Sequence, residues 1–230
     1  MGRDRATAHI PATHPRDPLG QRRRAYVADR DRAHRLCALA AGRFLGVPPD
    51  EVRVTRERSG RPFLSDHPEV DVNLTHAGGA AAVGIATRRR IGVDLEPVRP
   101  LPRADERMRR AFSPAEWEMI RSGERPDEEL LALWTCKEAL LKAIGVGLRV
   151  SLRDVLADAD RCDGRLDLRA DPQLDPTCRR WSVWPVLALS GFVGACAISS
   201  DGDTAPPAVR VHDGPLPMHR AFEATAASRR

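Results

Sequence analysis

Two short stretches about forty residues apart hold the residue types that could do chemistry. The first is Gly92-Val93-Asp94-Leu95-Glu96, an apolar run with carboxylates at alternate positions. The second is Trp134-Thr135-Cys136-Lys137-Glu138-Ala139-Leu140-Leu141-Lys142, with one acid between two lysines. Asp94, Glu96 and Glu138 supply carboxylate oxygens, and the lysines supply cations. Hard oxygen donors beside a fixed positive charge are what holding Mg²⁺ against a substrate phosphate requires.

The elements that must position these groups follow from periodicity. Alternation over Ile91 to Leu95 predicts a strand in which Ile91, Val93 and Leu95 point one way, leaving Asp94 and Glu96 to share the other face. Asp127 to Ile144 predicts the strongest helix of the chain, stopped by Gly145 and Gly147. On a wheel at roughly 100° per residue, Leu130, Leu133, Trp134, Leu140, Leu141 and Ile144 form one apolar face. Lys137 falls in the middle of that face, where an unpaired charge costs several kcal/mol unless it snorkels or meets an anion. Glu138 and Lys142 lie one turn apart on the flank. Read alone they are a solvated pair worth at most about half a kcal/mol. The acids at 94 and 96 make them candidates for a site.

Around these elements, 22–45 predicts a helix and Val52 to Val54 a short strand. Gly60-Arg61-Pro62 predicts a turn carrying a guanidinium. Val70 to Thr75, Ala80 to Ala86 and Ile91 to Leu95 predict a three-stranded meander turning at His76-Ala77-Gly78-Gly79 and Arg88-Arg89-Arg90. Phe112-Ser113-Pro114-Ala115-Glu116 is a capping-box start, with Ser113 as N-cap. Trp181 to Val186 and Phe192 to Ile198 predict strands. The organisation expected is an irregular lead-in over 1–20, an α/β half over 21–100, a second over 101–200 and a flexible tail over 201–230.

Composition narrows the function classes. Hydrophobic content of 42% with 30% charged residues is that of an ordered globular chain rather than a disordered one. A net charge of +5, carried almost wholly by arginine, suits anionic partners. Aromatic content of 4% leaves little to stack bases, which disfavours a nucleic-acid platform. No apolar run approaches the roughly 18 residues of a membrane span, and the Arg- and Pro-rich start lacks a secretory apolar region. Five scattered cysteines without C-x-x-C spacing point away from disulfides or structural zinc, towards a reducing cytoplasm.

The two stretches resemble the 4′-phosphopantetheinyl transferase superfamily, in its surfactin-synthetase-activating subgroup. That pattern is a G-[IV]-D-[IL]-E strand followed by W-x-x-K-E-A-x-x-K on a helix, and both are matched in full. Gly60-Arg61-Pro62, Asn73-Leu74-Thr75-His76-Ala77-Gly78, Phe112-Ser113-Pro114-Ala115-Glu116 and Gly145-Val146-Gly147-Leu148 match in the same order. The resemblance implies an α/β (α+β) fold of two similar halves about a pseudo-twofold axis, with coenzyme A between them. It implies Mg²⁺-dependent transfer of the phosphopantetheine arm to a serine of an acidic acyl or peptidyl carrier protein, releasing adenosine 3′,5′-bisphosphate. It further implies a monomer.

Carried over residue by residue, Asp94, Glu96 and Glu138 are the metal ligands. Glu138 accepts the serine proton, directly or through a water on the metal. Lys142 pairs with pyrophosphate oxygens, and Lys137 either does the same or braces Glu138. His76 matches a phosphate-contacting histidine, with Thr75 beside it. Arg61 and the Pro62 backbone frame the adenine or its phosphates. Arg30 and Arg35, with Arg23 behind them, are the candidates for the 3′-phosphate.

Overall fold

The structure is a computed structural model that describes residues 34–101, 106–147, 150–162, 165–175, 180–186 and 190–200. The expectations for 1–20, for 201–230, and for Arg23 and Arg30 lie outside those residues.

Helix α1 (34–45) opens the described chain, and β1 (Val54–Arg56) and β2 (Pro62–Leu64) follow as an antiparallel pair. Strands β3 (Val70–Ala77) and β4 (Ala80–Thr87) form an eight-pair hairpin. Cys37 and Ala41 of α1 pack with Val52, Leu64, Val70 and Val72 into a first core.

The expected meander stops at two strands. β5 (Ile91–Pro97) leaves the hairpin and pairs antiparallel with β9 (Phe192–Ser200) at the far end of the chain. It becomes the edge of a five-stranded antiparallel sheet in the order β5-β9-β8-β7-β6, completed by β6 (Val155–Cys162), β7 (Arg165–Ala170) and β8 (Arg180–Val186). What remains of the third meander position is made by side chains. Asp71 Oδ2 accepts from the Ile91 amide at 2.7 Å and Asn73 Oδ1 accepts from the Val93 amide at 3.0 Å. Two polar residues of β3 thus satisfy the free edge of β5 in place of a neighbouring strand's carbonyls.

Three helices follow β5: α2 (Glu106–Arg109), α3 (Pro114–Ser122), which packs on α4, and α4 (Pro126–Ile144), which packs on the sheet. The capping box forms as the sequence dictates: Ser113 Oγ accepts from the Glu116 amide, and Glu116 Oε2 accepts from the Ser113 amide at 2.8 Å. Helix α4 ends at Gly145, whose φ of +96° suits only a residue without Cβ. It lies across β5 and β9 over the main core, where Leu130, Leu133, Leu140 and Leu141 meet Val155, Leu168, Trp181, Val183, Val193 and Ala195. A Cβ on Gly92 would sit 2.0 Å from the Ala139 carbonyl oxygen and 2.5 Å from the Ala143 nitrogen. The glycine of the first motif is therefore what lets the second motif's helix touch the strand backbone to backbone. Among the described residues, no helix is long and apolar enough to cross a membrane.

Candidate active site

The two motifs meet where α4 crosses β5. Gly92, Asp94 and Glu96 share the strand face turned towards the helix, as alternation predicts. The Lys142 ammonium reaches down from the last turn of α4 and donates to Asp94 Oδ1 at 2.6 Å and to Thr75 Oγ1 at 3.1 Å. Thr75 in turn donates to the same Asp94 oxygen at 3.2 Å. One carboxylate oxygen of β5 thus gathers groups from β3 and α4.

The other oxygen has no such company. Asp94 Oδ2 is buried without a hydrogen-bond partner. An anionic oxygen out of water and without a donor is costly. Glu138, buried one turn before Lys142, adds to the charge. Burial first, then the Asp94 and Glu96 charges, push its carboxyl up to about 7, against the pull of Lys142 and of a hydrogen bond from the Trp134 indole. Glu96 shifts upward for the same leading reasons, burial and then Asp94.

Crowded, partly desolvated carboxylates with an orphaned oxygen suit a hard divalent cation, which takes oxygen ligands. The arrangement is not a ready-made cage: among the described residues no three His, Cys, Asp or Glu side chains converge as a metal-ligand set.

Two sequence-based assignments are corrected. Lys137 does not face this cluster. Its side chain is 0% exposed, and its ammonium donates to Glu116 Oε2 at 2.7 Å and to the Ala111 and Leu152 carbonyls at 3.4 and 3.3 Å, over the Phe112 ring. Every donor is engaged on the core side of α4, so Lys137 joins α4 to α3. Burial lowers its pKa, and Glu116 opposes that shift. Arg61 is the second case. It is 5% exposed and turned inward, donating to Asp71 Oδ2 at 2.5 Å, to the Ile91 carbonyl at 2.9 Å and to the Lys142 carbonyl. Both Nη atoms are engaged by protein groups, while Nε is buried without a hydrogen-bond partner.

The remaining candidates sit apart from the cluster or at its rim. Pro62 is buried in β2. Thr75 joins the cluster. His76 is half-buried on the opposite face of β3, as the strand's alternation requires. The turn after it is docked: a Cβ on Gly78 would lie 3.3 Å from the Phe192 ring and 3.5 Å from Pro97. Arg35 is exposed on α1. Asp71, outside every matched motif, and Asn73, inside a matched stretch but given no role there, are neighbours of the cluster through the Ile91 and Val93 amides. Their signal was present: polar residues at 71, 73 and 75 alternate with Val70, Val72 and Leu74, which marks a strand polar on a face it nonetheless buries. A second signal is compositional. Only two of the chain's 37 basic residues are lysines, and both belong to α4. A chain otherwise built with arginine keeps a compact ammonium where a planar fork would not fit.

Residues 90–197 match the family model described as the 4′-phosphopantetheinyl transferase superfamily. The chain is 34% identical over 168 residues to the 4′-phosphopantetheinyl transferase HetI of Nostoc sp., an alignment covering 70% of this chain and 66% of HetI. It is 34% identical over 128 residues to the L-aminoadipate-semialdehyde dehydrogenase-phosphopantetheinyl transferase of Schizosaccharomyces pombe, covering 49% of this chain and 50% of that one. The chain thus spans about half to two thirds of the length of these relatives. The holo-[acyl-carrier-protein] synthase of Neisseria meningitidis superimposes with a TM-score of 0.39 at 21% identity, over 49% of this chain and 98% of that one.

Proposed function

We propose that this protein transfers the 4′-phosphopantetheine arm of coenzyme A to a serine of an apo acyl or peptidyl carrier protein, releasing adenosine 3′,5′-bisphosphate. The observation that supports this most is the convergence of Lys142 and Thr75, from different elements, on the Asp94 carboxylate, whose second oxygen is buried without a partner. Asp94, Glu96 and Glu138 would hold Mg²⁺, which when bound supplies charge neutralisation for the diphosphate.

The chain's own residues do the rest. Lys142 Nζ, on a side chain 27% exposed, is within a short swing of leaving Asp94 for a phosphate oxygen. Glu138, a buried carboxylate one turn from Lys142, would receive the serine proton, directly or through water, as the oxygen attacks phosphorus. His76 lies in β3 two residues before Gly78, whose turn packs on Phe192 and Pro97. Charge spreads over the diphosphate oxygens in such a transfer, so position and electrostatics supply most of the rate.

The wider reading has the chain as a monomer in a reducing cytoplasm, of the surfactin-synthetase-activating type, with halves over 21–100 and 101–200 related by a pseudo-twofold axis. Its net charge of +5 suits an acidic carrier. Arg30 and Arg35 are the candidates for the 3′-phosphate. Incubation with coenzyme A, Mg²⁺ and apo carrier proteins of fatty-acid, polyketide and peptide type tests the proposal by mass spectrometry. A gain of one phosphopantetheine arm on any of them supports it; intact carriers throughout overturn it.

A further inference from the structure

We infer that Arg61 and Asp71 are positioning residues for Lys142, forming a buried clamp that fixes the last turn of α4 against the start of β5. Helices end with carbonyls that have no partner within the helix. In α4 the Leu141 carbonyl accepts from the Gly145 and Val146 amides at 3.0 and 3.2 Å. The next two, those of Lys142 and Ala143, are taken by arginines from another part of the chain. Arg61 Nη1 donates to the Lys142 carbonyl, and Arg90 Nε donates to the Ala143 carbonyl at 3.3 Å.

Asp71 joins both arginines. Its Oδ2 accepts from Arg61 Nη2 at 2.5 Å, and its Oδ1 lies 3.7 Å from Arg90 Nη1. The same residues hold β5: Asp71 accepts from the Ile91 amide and Arg61 donates to the Ile91 carbonyl. Ile91 is three residues before Asp94, and Lys142 is the residue whose carbonyl Arg61 grips. The clamp therefore ties together, through backbone, the two residues whose side chains meet at 2.6 Å. Two positive charges at a helix C-terminus are also favourably placed against its dipole. The inference rests on the role proposed for Lys142.

The composition of the chain makes a direct test available. Lys137 and Lys142 are its only lysines, one fully buried and the other with its side chain 27% exposed. Limited acylation of the native protein, mapped by peptide mass, reads the mobility of each without any catalysis. Arg61→Gln is expected to speed labelling of Lys142 by about threefold or more while Lys137 stays unlabelled, with Arg61→Lys in between. Labelling of both lysines would mean that the whole fold opens, and unchanged labelling of Lys142 would mean that the clamp holds nothing; either overturns the inference. Should Arg61→Gln fail to fold, the isosteric Asp71→Asn decides by the same readout.

A double-mutant cycle in kcat/KM supplies the functional arm. If Arg61 acts through Lys142, Arg61→Gln costs about tenfold in the wild type but less than about twofold in a Lys142→Met background. Full additivity would show that Arg61 acts by another route. A chain with no transferase activity would overturn the proposed function yet leave the labelling result standing, so the two failures are distinguishable.

Discussion

The two lysines of α4 form ion pairs of nearly the same length, 2.7 Å for Lys137 with Glu116 and 2.6 Å for Lys142 with Asp94, and they serve opposite ends. Around Lys137 every polar group is satisfied: one carboxylate, two carbonyls and an aromatic ring fill its surroundings. Around Lys142 the count does not close. Asp94 keeps an orphaned oxygen, and Glu138 and Glu96 are both pushed towards the protonated form by burial and by Asp94. A closed network specifies structure, whereas the open one in the same helix is what the proposed function would fill with a ligand. Pair length says nothing about which is which; completeness of the shell does.

Substitutions can break or sharpen that contrast. The largest loss of activity belongs to the open side. Asp94→Ala and Glu138→Gln should each lower kcat/KM by about 10³-fold or more with circular dichroism unchanged. Wild-type-like rates from either would remove it from the site. Lys142→Ala should cost about 10²-fold and weaken coenzyme A binding, measured by titration calorimetry. Unchanged affinity and rate would contradict a phosphate-facing role.

On the closed side the ordering reverses. Lys137→Met leaves Glu116 half of a broken buried pair, and should destabilise the fold by about 3–5 kcal/mol in denaturant melts. Turnover by the molecules that remain folded should change by less than about threefold. A large fall in kcat at full folding would place Lys137 in the chemistry after all. The smallest effect is the most telling. Glu138→Gln removes a charge from a crowded acidic cluster, so without a divalent ion it should raise the melting temperature, by about 2–4 °C for each kcal/mol of repulsion relieved. A fall instead would mean that the Glu138 carboxylate is a stabilising group.

Much of the site was legible before any fold was known, because its parts are local. Alternation placed Asp94 and Glu96 on one strand face, and the capping box at Ser113 and Glu116 formed as its spacing requires. Local pattern failed where the partner is distant. β5 reads as the third strand of a meander, yet its hydrogen-bonded neighbour is β9, about a hundred residues on, and β3 reaches it only through Asp71 and Asn73. β6 and β7 went unseen because 155–170 is rich in Asp, Arg, Ala and Leu, which are poor markers of a strand. Arg61 looks like a turn arginine by sequence; that its neighbours are the Lys142 carbonyl and Asp71 is a consequence of packing.

The sequence by itself determined that α4 carries two lysines on different faces. Five residues at about 100° each put them roughly 140° apart, and the apolar neighbours of Lys137 required it to find an anion. Which anion it found was decided only in three dimensions. Glu116 comes from another helix 21 residues earlier, and Asp94 reaches Lys142 from a strand 48 residues away. Helical period is set by the backbone and can be read from spacing, but a charge pair between elements exists only once the core has chosen how those elements pack.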